Sequence, residues 1–264
     1  MVTNVLYLGR VAYGTALNLQ RTLQGLRKAG RLENTLLLLE HPPVITLGRN
    51  AKLENVLAPA EFLAQRGVEL FEIDRGGDVT FHGPGQLIAY PIFDLRTFDP
   101  RVGAVEYVRR LEEVLIRTCS DFGIGTQRIK GLTGVWTYAM PKKPEAKIAA
   151  IGVHISRSVT THGFALNVST DLDFFSLIVP CGIPNKPVTS IERESQKSLT
   201  LEDVATAASR NFGRVFNSQM LWLESMDDLL AQAAETAANP ANQDTPAKPS
   251  KELRELHGDG SELA

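Results

Sequence analysis

Cysteine is nearly absent from this 264-residue chain: Cys119 and Cys181 are the only two. Two thiols cannot build a disulfide framework, so both are read as free and the fold has to be held by its core. Long apolar runs are absent too. The longest, such as Leu36–Leu39 and Ile148–Ile151, reach four residues, against the roughly 20 that a membrane-spanning helix needs. The opening MVTNVLYLGR has no basic region followed by an apolar core, so no secretory leader is expected. Neither sign of charge prevails, since 28 Lys and Arg face 30 Asp and Glu with no basic block. A nucleic-acid surface needs such an excess, so that class of partner is not expected. These absences point to a cytoplasmic protein without membrane contact.

Turning to what is present, Tyr13 to Ala29 carries Ala16, Leu19, Leu23 and Leu26 at helical spacing,. NTLLLLEH reads as a buried strand ended by Pro42-Pro43,. A short helix is expected over Ala58 to Arg66, with Pro59 near its start,. VELFEID, DVTF and QLIAYPIF are strand candidates, and Pro91 predicts an edge or an irregularity in the last,. The clearest helix is Val105 to Phe122, striped by Val108, Leu111, Leu115 and Cys119. KIAAIGVHISRS and THGFALNV read as a hairpin, and Leu201 to Phe216 and Asp227 to Ala238 as helices. Helices mixed with hairpin-joined strands predict an α+β fold with a mixed sheet flanked by helices. One domain is expected over residues 1–238. From 239 to 264 the chain turns proline-rich and polar, and a disordered tail is expected there.

Two places stand out chemically. Between Arg75 and Leu95 the chain reads RGGDVTFHGPGQLIAYPIFDL, with Gly76, Gly77, Gly83, Pro84 and Gly85 crowded together. Something must approach this backbone closely. Cys181 lies in VPCGIPNKP, a segment that can continue neither a helix nor a central strand,. A buried cysteine is commonly a small apolar filler, which suits Cys119; a thiol between Pro180 and Gly182 suits a reactive role as well. An activating neighbour is then needed. His82, His154, His162 and Lys147 are the candidates. Lys147 opens the apolar strand AKIAAIG, and it reads either as a strand-end charge snorkelling to water or as a desolvated amine beside the thiol.

The segments RGGDVTFHGPGQ, GVW, AKIAAIGVHIS, THGFALNV and VPCGI…VTSI occur in this order. Together, over roughly Val5 to Phe216, they resemble the lipoyl (octanoyl) transferase family. The resemblance implies transfer of an octanoyl group from octanoyl-acyl carrier protein to a lysine of a lipoyl domain. Such acceptors are the lipoyl domains of 2-oxoacid dehydrogenase complexes and the glycine cleavage H protein. It implies no cofactor, no metal, and a fold like that of biotin protein ligases and lipoate ligases; a monomer is expected. The family's acyl-thioester nucleophile falls on Cys181 and its catalytic lysine on Lys147. Its acyl-binding segments fall on Arg75, Gly76, Gly77, Asp78, Val79, Thr80, Phe81 and His82, on Ala150, Ile151 and Gly152, and on Gly163, Phe164 and Ala165.

Read as side chains, Gly76, Gly77, Gly83 and Gly85 would let a thin alkyl chain run against backbone, with Gly152 and Gly163 shaping the same channel. Val79, Phe81, Phe164 and Leu166 could line it, although strand alternation sends some of them to ordinary core. His82 reads as an orienting donor or as a structural histidine, and Arg75 as a residue that fixes the loop. Arg49, Lys142, Lys143, Arg157 and Lys186 are candidates for steering acidic carrier domains. The chief rival is an ATP-dependent lipoate or biotin-type protein ligase on the same scaffold, for which Cys181 would be idle. TYAMPKKPEA looks longer than a tight hairpin needs, and Ser158 and Thr161 are smaller than the family pattern suggests at that turn.

Overall fold

The computed structural model describes residues 1–141, 143–180 and 186–238. The expected tail, 239–264, lies outside the described residues. Strand β1 (Val2–Arg10) leads into helix α1 (Tyr13–Lys28), then β2 (Asn34–Glu40), β3 (Val44–Leu47), α2 (Ala60–Gln65), β4 (Glu69–Glu72), β5 (Val79–His82) and β6 (Gln86–Ile92). The second half adds α3 (Ala104–Asp121), β7 (Thr126–Ile129), β8 (Leu132–Thr137), β9 (Lys147–Ser156), β10 (Val159–Asn167), α4 (Ile191–Ser195), α5 (Leu201–Phe216), β11 (Gln219–Trp222) and α6 (Met226–Ala238). Eight strands make one mixed sheet in the order β11-β1-β2-β6-β10-β9-β8-β7, and β4-β3-β5 make a small second sheet. The fold is therefore α+β with a mixed sheet, as expected. No helix among the described residues is long and apolar enough to cross a membrane.

The unbroken leucine run of β2 follows from burial on both faces. Leu36 and Leu38 pack with Val5, Leu87 and Phe164 beneath Leu111 and Leu115 of α3 and Phe212 of α5. Leu37 and Leu39 pack with Leu6, Ile88 and Ala165 beneath Ala16 and Leu23 of α1 and Leu229 of α6. Successive side chains leave opposite faces of a strand, so a strand between two helical layers has no polar side to show. A third cluster fills the small sheet, where Ile45, Leu47, Val79 and Phe81 meet Phe175, Leu177 and Ile178.

Several details depart from the sequence reading. Pro91 is not on an edge: β6 lies between β2 and β10, and Pro91 pairs with Leu36. The expected irregularity is present on the other side, where the β6–β10 ladder ends at Ala89–Phe164. The missing N–H thus falls beyond the last rung and costs no ladder bond. On the α3 stripe Tyr107 is fully buried where Val108 was expected to be. Strands β1, β3, β7, β8 and β11 were not expected. The hairpin of β9 and β10 turns at Arg157 and Ser158, both at positive φ (49° and 65°), which matches the strand twist,. Ser158 lies in this turn as expected, whereas Thr161 does not: it is within β10, paired with His154 of β9. The long connection before β9 is a miniature hairpin in which Met140 and Lys143 exchange both backbone hydrogen bonds, at 2.8 and 2.9 Å.

Candidate active site

The Gly-rich stretch begins as a loop seated on the β9–β10 hairpin. Gly76 donates its N–H to the Val153 carbonyl at 2.9 Å. A Cβ on Gly152 would stand 2.9 Å from both the Gly76 carbonyl oxygen and Arg75 Cδ, so only glycine lets the loop down onto this strand,. Arg75 is buried and directs its guanidinium at protein: Nη2 donates to the Thr46 carbonyl at 2.7 Å and to Thr46 Oγ1 at 2.9 Å, and Nη1 to the Gly76 carbonyl at 3.0 Å. It fixes the loop, as the sequence suggested. The explanation offered for Gly83 and Gly85 is corrected. Their Cβ positions are taken by the Phe81 ring and by Ser169, not by open channel.

Between this loop, β5, β6 and the hairpin lies a narrow cleft. Of the predicted acyl-binding residues, Arg75, Gly77, Asp78, Thr80, His82, Ala150, Ile151, Gly152, Gly163, Phe164 and Ala165 line it. Gly76, Val79 and Phe81 do not. On β5 alternation sends Thr80 and His82 to the cleft and turns Val79 and Phe81 the other way. Both are fully buried in the small-sheet core, where Phe81 stacks on Phe174 at 4.8 Å and meets Phe175 edge-on. Phe164 turns its ring toward α5, stacked on Phe212 at 5.8 Å. Leu166 belongs to that same core.

Several of the cleft's polar groups are held in a hydrogen-bond network with the groups behind them. His82 Nδ1 donates to Gln86 Oε1 at 2.9 Å, because the amide nitrogen of Gln86 is engaged with Asn167 Oδ1 at 2.8 Å. That leaves His82 Nε2 as an acceptor, 3.4 Å from Thr46 Oγ1. His41 Nδ1 donates to the Val11 carbonyl at 2.7 Å, so its Nε2 accepts the Tyr90 hydroxyl at 2.8 Å. Burial penalises charge on both rings and pushes His82 down to about 3 and His41 to about 4,. Both are neutral: His82 is part of the wall, and His41 stands behind it, holding the Tyr90 hydroxyl. At one rim His162, held at φ 55°, sets Nε2 2.9 Å from Asp74, and His154 lies 3.6 Å from the same carboxylate. Burial lowers the His162 pKa. Burial of Asp74 is the largest single influence and opposes its charge, but the hydrogen bond to His162 and the attraction of His162 and His154 together outweigh it, and its carboxyl is held low.

A second, smaller pocket adjoins the first and shares Thr80, Ala150 and Ala165 with it. Lys147 and Pro180 line this end. Lys147 is only 6% exposed, so it does not snorkel to water. Its Nζ stands 4.8 Å from the centre of the Trp136 ring, where a cation is favoured. Its backbone is bracketed by the segment 187–189, which follows Cys181 in the chain: Lys147 N–H donates to the Pro187 carbonyl at 2.8 Å, and Thr189 N–H to the Lys147 carbonyl at 2.9 Å. Cys181 itself, like Lys142, lies outside the described residues. Cys119 is buried in the α3 core with its thiol pushed up to about 12 by desolvation. It is the apolar filler expected. Of the candidate steering cations, Lys143 pairs with Glu194 at 2.6 Å, Lys186 with Glu145, and Arg49 donates to His154 at 3.0 Å.

Sequence reasoning missed Tyr13, Ile88, Tyr90, Gln86 and Asn167 in these walls. The signal was strand parity. Gly163, Ala165 and Asn167 share one face of β10, and Gln86, Ile88 and Tyr90 one face of β6.

Three comparisons bear on this site. The chain matches the lipoyl protein ligase A/B catalytic domain over residues 12–213. It is 62% identical to an octanoyltransferase of Koribacter versatilis (strain Ellin345) across 98% of each chain. It is 61% identical to one from Acidobacterium capsulatum, covering 89% of this chain and 98% of that one. Among solved structures, a bipartite lipoate protein ligase from Thermoplasma acidophilum superposes with TM-score 0.67 at 16% identity, over 89% of this chain and 92% of that one. A lipoate-protein ligase A bound with ATP superposes with TM-score 0.64 at 15% identity, over 89% and 94%. These last two show the shared fold.

Proposed function

The chain belongs to the lipoyl protein ligase A/B catalytic-domain family, and from that premise we propose that its octanoyl transfer in protein lipoylation runs through a thioester on Cys181. The enzyme is an acyltransferase, in line with its octanoyltransferase relatives. The observation that supports the mechanistic reading is the adjacency of the two pockets. They share Thr80, Ala150 and Ala165; the first reaches Tyr13 and Tyr90, and the second is lined by Lys147 and by Pro180, the residue before Cys181.

In the first step Lys147 takes the thiol proton and the Cys181 sulfur attacks the carbonyl carbon of an octanoyl thioester on acyl carrier protein. The new C–S bond forms, the bond to the carrier sulfur breaks, and Lys147 returns the proton to that leaving thiolate. In the second step the amine of a lipoyl-domain lysine attacks the Cys181 thioester. Lys147 accepts a proton from the amine and delivers it to the departing Cys181 sulfur, leaving an amide. One thioester is exchanged for another and then for a more stable amide, so neither ATP nor a metal is needed. The acceptors are lipoyl domains of 2-oxoacid dehydrogenase complexes and the glycine cleavage H protein, and the enzyme acts as a cytoplasmic monomer. Residues 1–238 form the catalytic domain.

The test is the intact mass after incubation with octanoyl-acyl carrier protein alone. One octanoyl adduct is expected, lost in Cys181→Ala and kept in Cys119→Ala. An adduct on Cys119, no adduct, or a strict ATP requirement in the transfer to lipoyl domain would overturn the covalent route, the last in favour of the ligase chemistry.

A further inference from the structure

We propose that Asp78 is a positioning residue for the thiol loop, acting through Asn55 on the backbone at Val179. The inference rests on the reading of Cys181 as the acyl-carrying nucleophile. Asp78 lines the cleft, yet a neutral alkyl chain gains nothing from a carboxylate, and a charge beside it has to be satisfied elsewhere. The structure shows where. Asp78 Oδ1 accepts the backbone N–H groups of Val79 at 2.8 Å and of Lys52 at 3.1 Å, while Oδ2 accepts Asn55 Nδ2 at 2.6 Å. The carbonyl of Asn55 in turn accepts the N–H of Val179 at 2.8 Å, two residues ahead of Cys181. Leu57 N–H adds a bond to the Leu177 carbonyl at 2.8 Å, and Val56 bridges to Ile178. Asp78 thus draws the segment 52–57 into a clamp on the chain entering the thiol loop.

The chain leaving that loop is tied to the same stretch. Thr189 gives its carbonyl to Asn167 Nδ2 at 2.9 Å, Asn167 Oδ1 accepts from Gln86, and Gln86 Oε1 accepts from His82. Both ends of the loop are therefore anchored to side chains between Asp78 and Gln86, the residues that also wall the cleft. Seating an acyl chain in the cleft and holding the thiol at its carbonyl end are two duties of one segment. A reacting pair misplaced by about 1 Å loses on the order of 10²-fold in rate. The Asp78–Asn55 bond therefore acts on the acylation rate more than on affinity for the donor.

The pair is tested by exchanging its members. Asn55→Asp sets two carboxylates against each other, and single-turnover acylation of Cys181 by octanoyl-acyl carrier protein is expected to fall roughly 10²-fold, with KM for the donor little changed. Adding Asp78→Asn restores a donor and an acceptor. The amide oxygen introduced at position 78 keeps the bonds from Lys52 and Val79, the amide nitrogen donates to the carboxylate introduced at position 55, and the double variant is expected to recover most of the rate. Alkylation of Cys181 by iodoacetamide, which does not use the cleft, is expected to stay near wild type in both variants. A mere loss of fold would raise it. An Asn55→Asp enzyme that acylates at the wild-type rate, or a double variant no better than the single, overturns the inference alone. A wild-type enzyme with no adduct on Cys181 overturns the nucleophile reading on which it stands.

Discussion

Lowering the pH from 7.5 to 5 is expected to destabilise this protein by about 4 kcal/mol through two buried histidines, His82 in the cleft wall and His41 behind it. His41 and His82 titrate at about 4 and about 3 in the folded chain, against an ordinary 6.5. Both shifts are depressions, so the unfolded chain binds the extra protons. Stability is full above pH 6.5 and is lost progressively as the pH falls toward the folded values. Each proton costs roughly 1.4 kcal/mol per pH unit, so one and a half units gives about 2 kcal/mol per ring at pH 5. His162, also depressed by burial, adds in the same direction. Asp74 and Asp94 have lowered pKa values as well, but they start from 3.8 and act in more acid solution. Against a total stability of about 5–15 kcal/mol, the loss is large. Urea unfolding at the two pH values, followed by tryptophan fluorescence, measures it. In His41→Gln the pH dependence should shrink by about 2 kcal/mol, whatever the variant costs at neutral pH. A pH difference below about 1 kcal/mol in the wild type, or a His41 or His82 ring titrating near its ordinary value in the folded protein, would refute the argument that burial keeps these rings neutral.

Lys147 separates charge from proton transfer. Arginine holds its proton throughout the pH range, so Lys147→Arg is expected to fail almost as badly as Lys147→Ala, by ~10²–10⁴-fold in octanoyl transfer; an active arginine variant would reduce Lys147 to a source of positive charge. Phe81→Ala should cost about 3–5 kcal/mol of stability, because the ring is packed between Phe174 and Phe175,. Its KM for the octanoyl donor should hold at a temperature where it is folded, and a raised KM would put the ring back in the acyl channel. Removing residues 239–264 should leave melting temperature and turnover near those of the full chain, since that segment brings little apolar surface to bury. A fall of many degrees would show that it docks.

How much of this was legible in the sequence depended on whether a residue's role was local. Helices α1, α3 and α5 declared themselves through apolar stripes, and the β9–β10 hairpin through two strand patterns meeting at a polar turn. β3 and β11 did not, because four residues are too few to show a period and their partners lie far along the chain,. The segments of the cleft were legible, but which of their side chains face it was not always. Val79 and Thr80 are neighbours in the sequence and lie on opposite sides of β5. The pattern does not say which parity is the cleft until the small sheet is known to have its own core. Tyr90 and Asn167 were hidden for the converse reason. Each sits in an apolar run that reads as core, and its polar end is satisfied by a residue 49 and 22 positions away, respectively.

The glycines of the Arg75–Gln86 stretch carry the same lesson one step further. They suggested a backbone stripped for a ligand, whereas Gly152 makes room for Gly76, Gly85 for Ser169, and Gly83 for Phe81. What comes so close to this backbone is the rest of the protein. The reason is mechanical. A segment that must present Thr80 and His82 of β5 to the cleft while Asp78 bonds Asn55 and Gln86 bonds Asn167 cannot be held at arm's length by side chains. It has to lie directly on the hairpin and the neighbouring turns, with backbone against backbone. Omitted side chains thus mark where the scaffold is drawn tight around the site, and the few retained polar ones mark what the tightening holds in place.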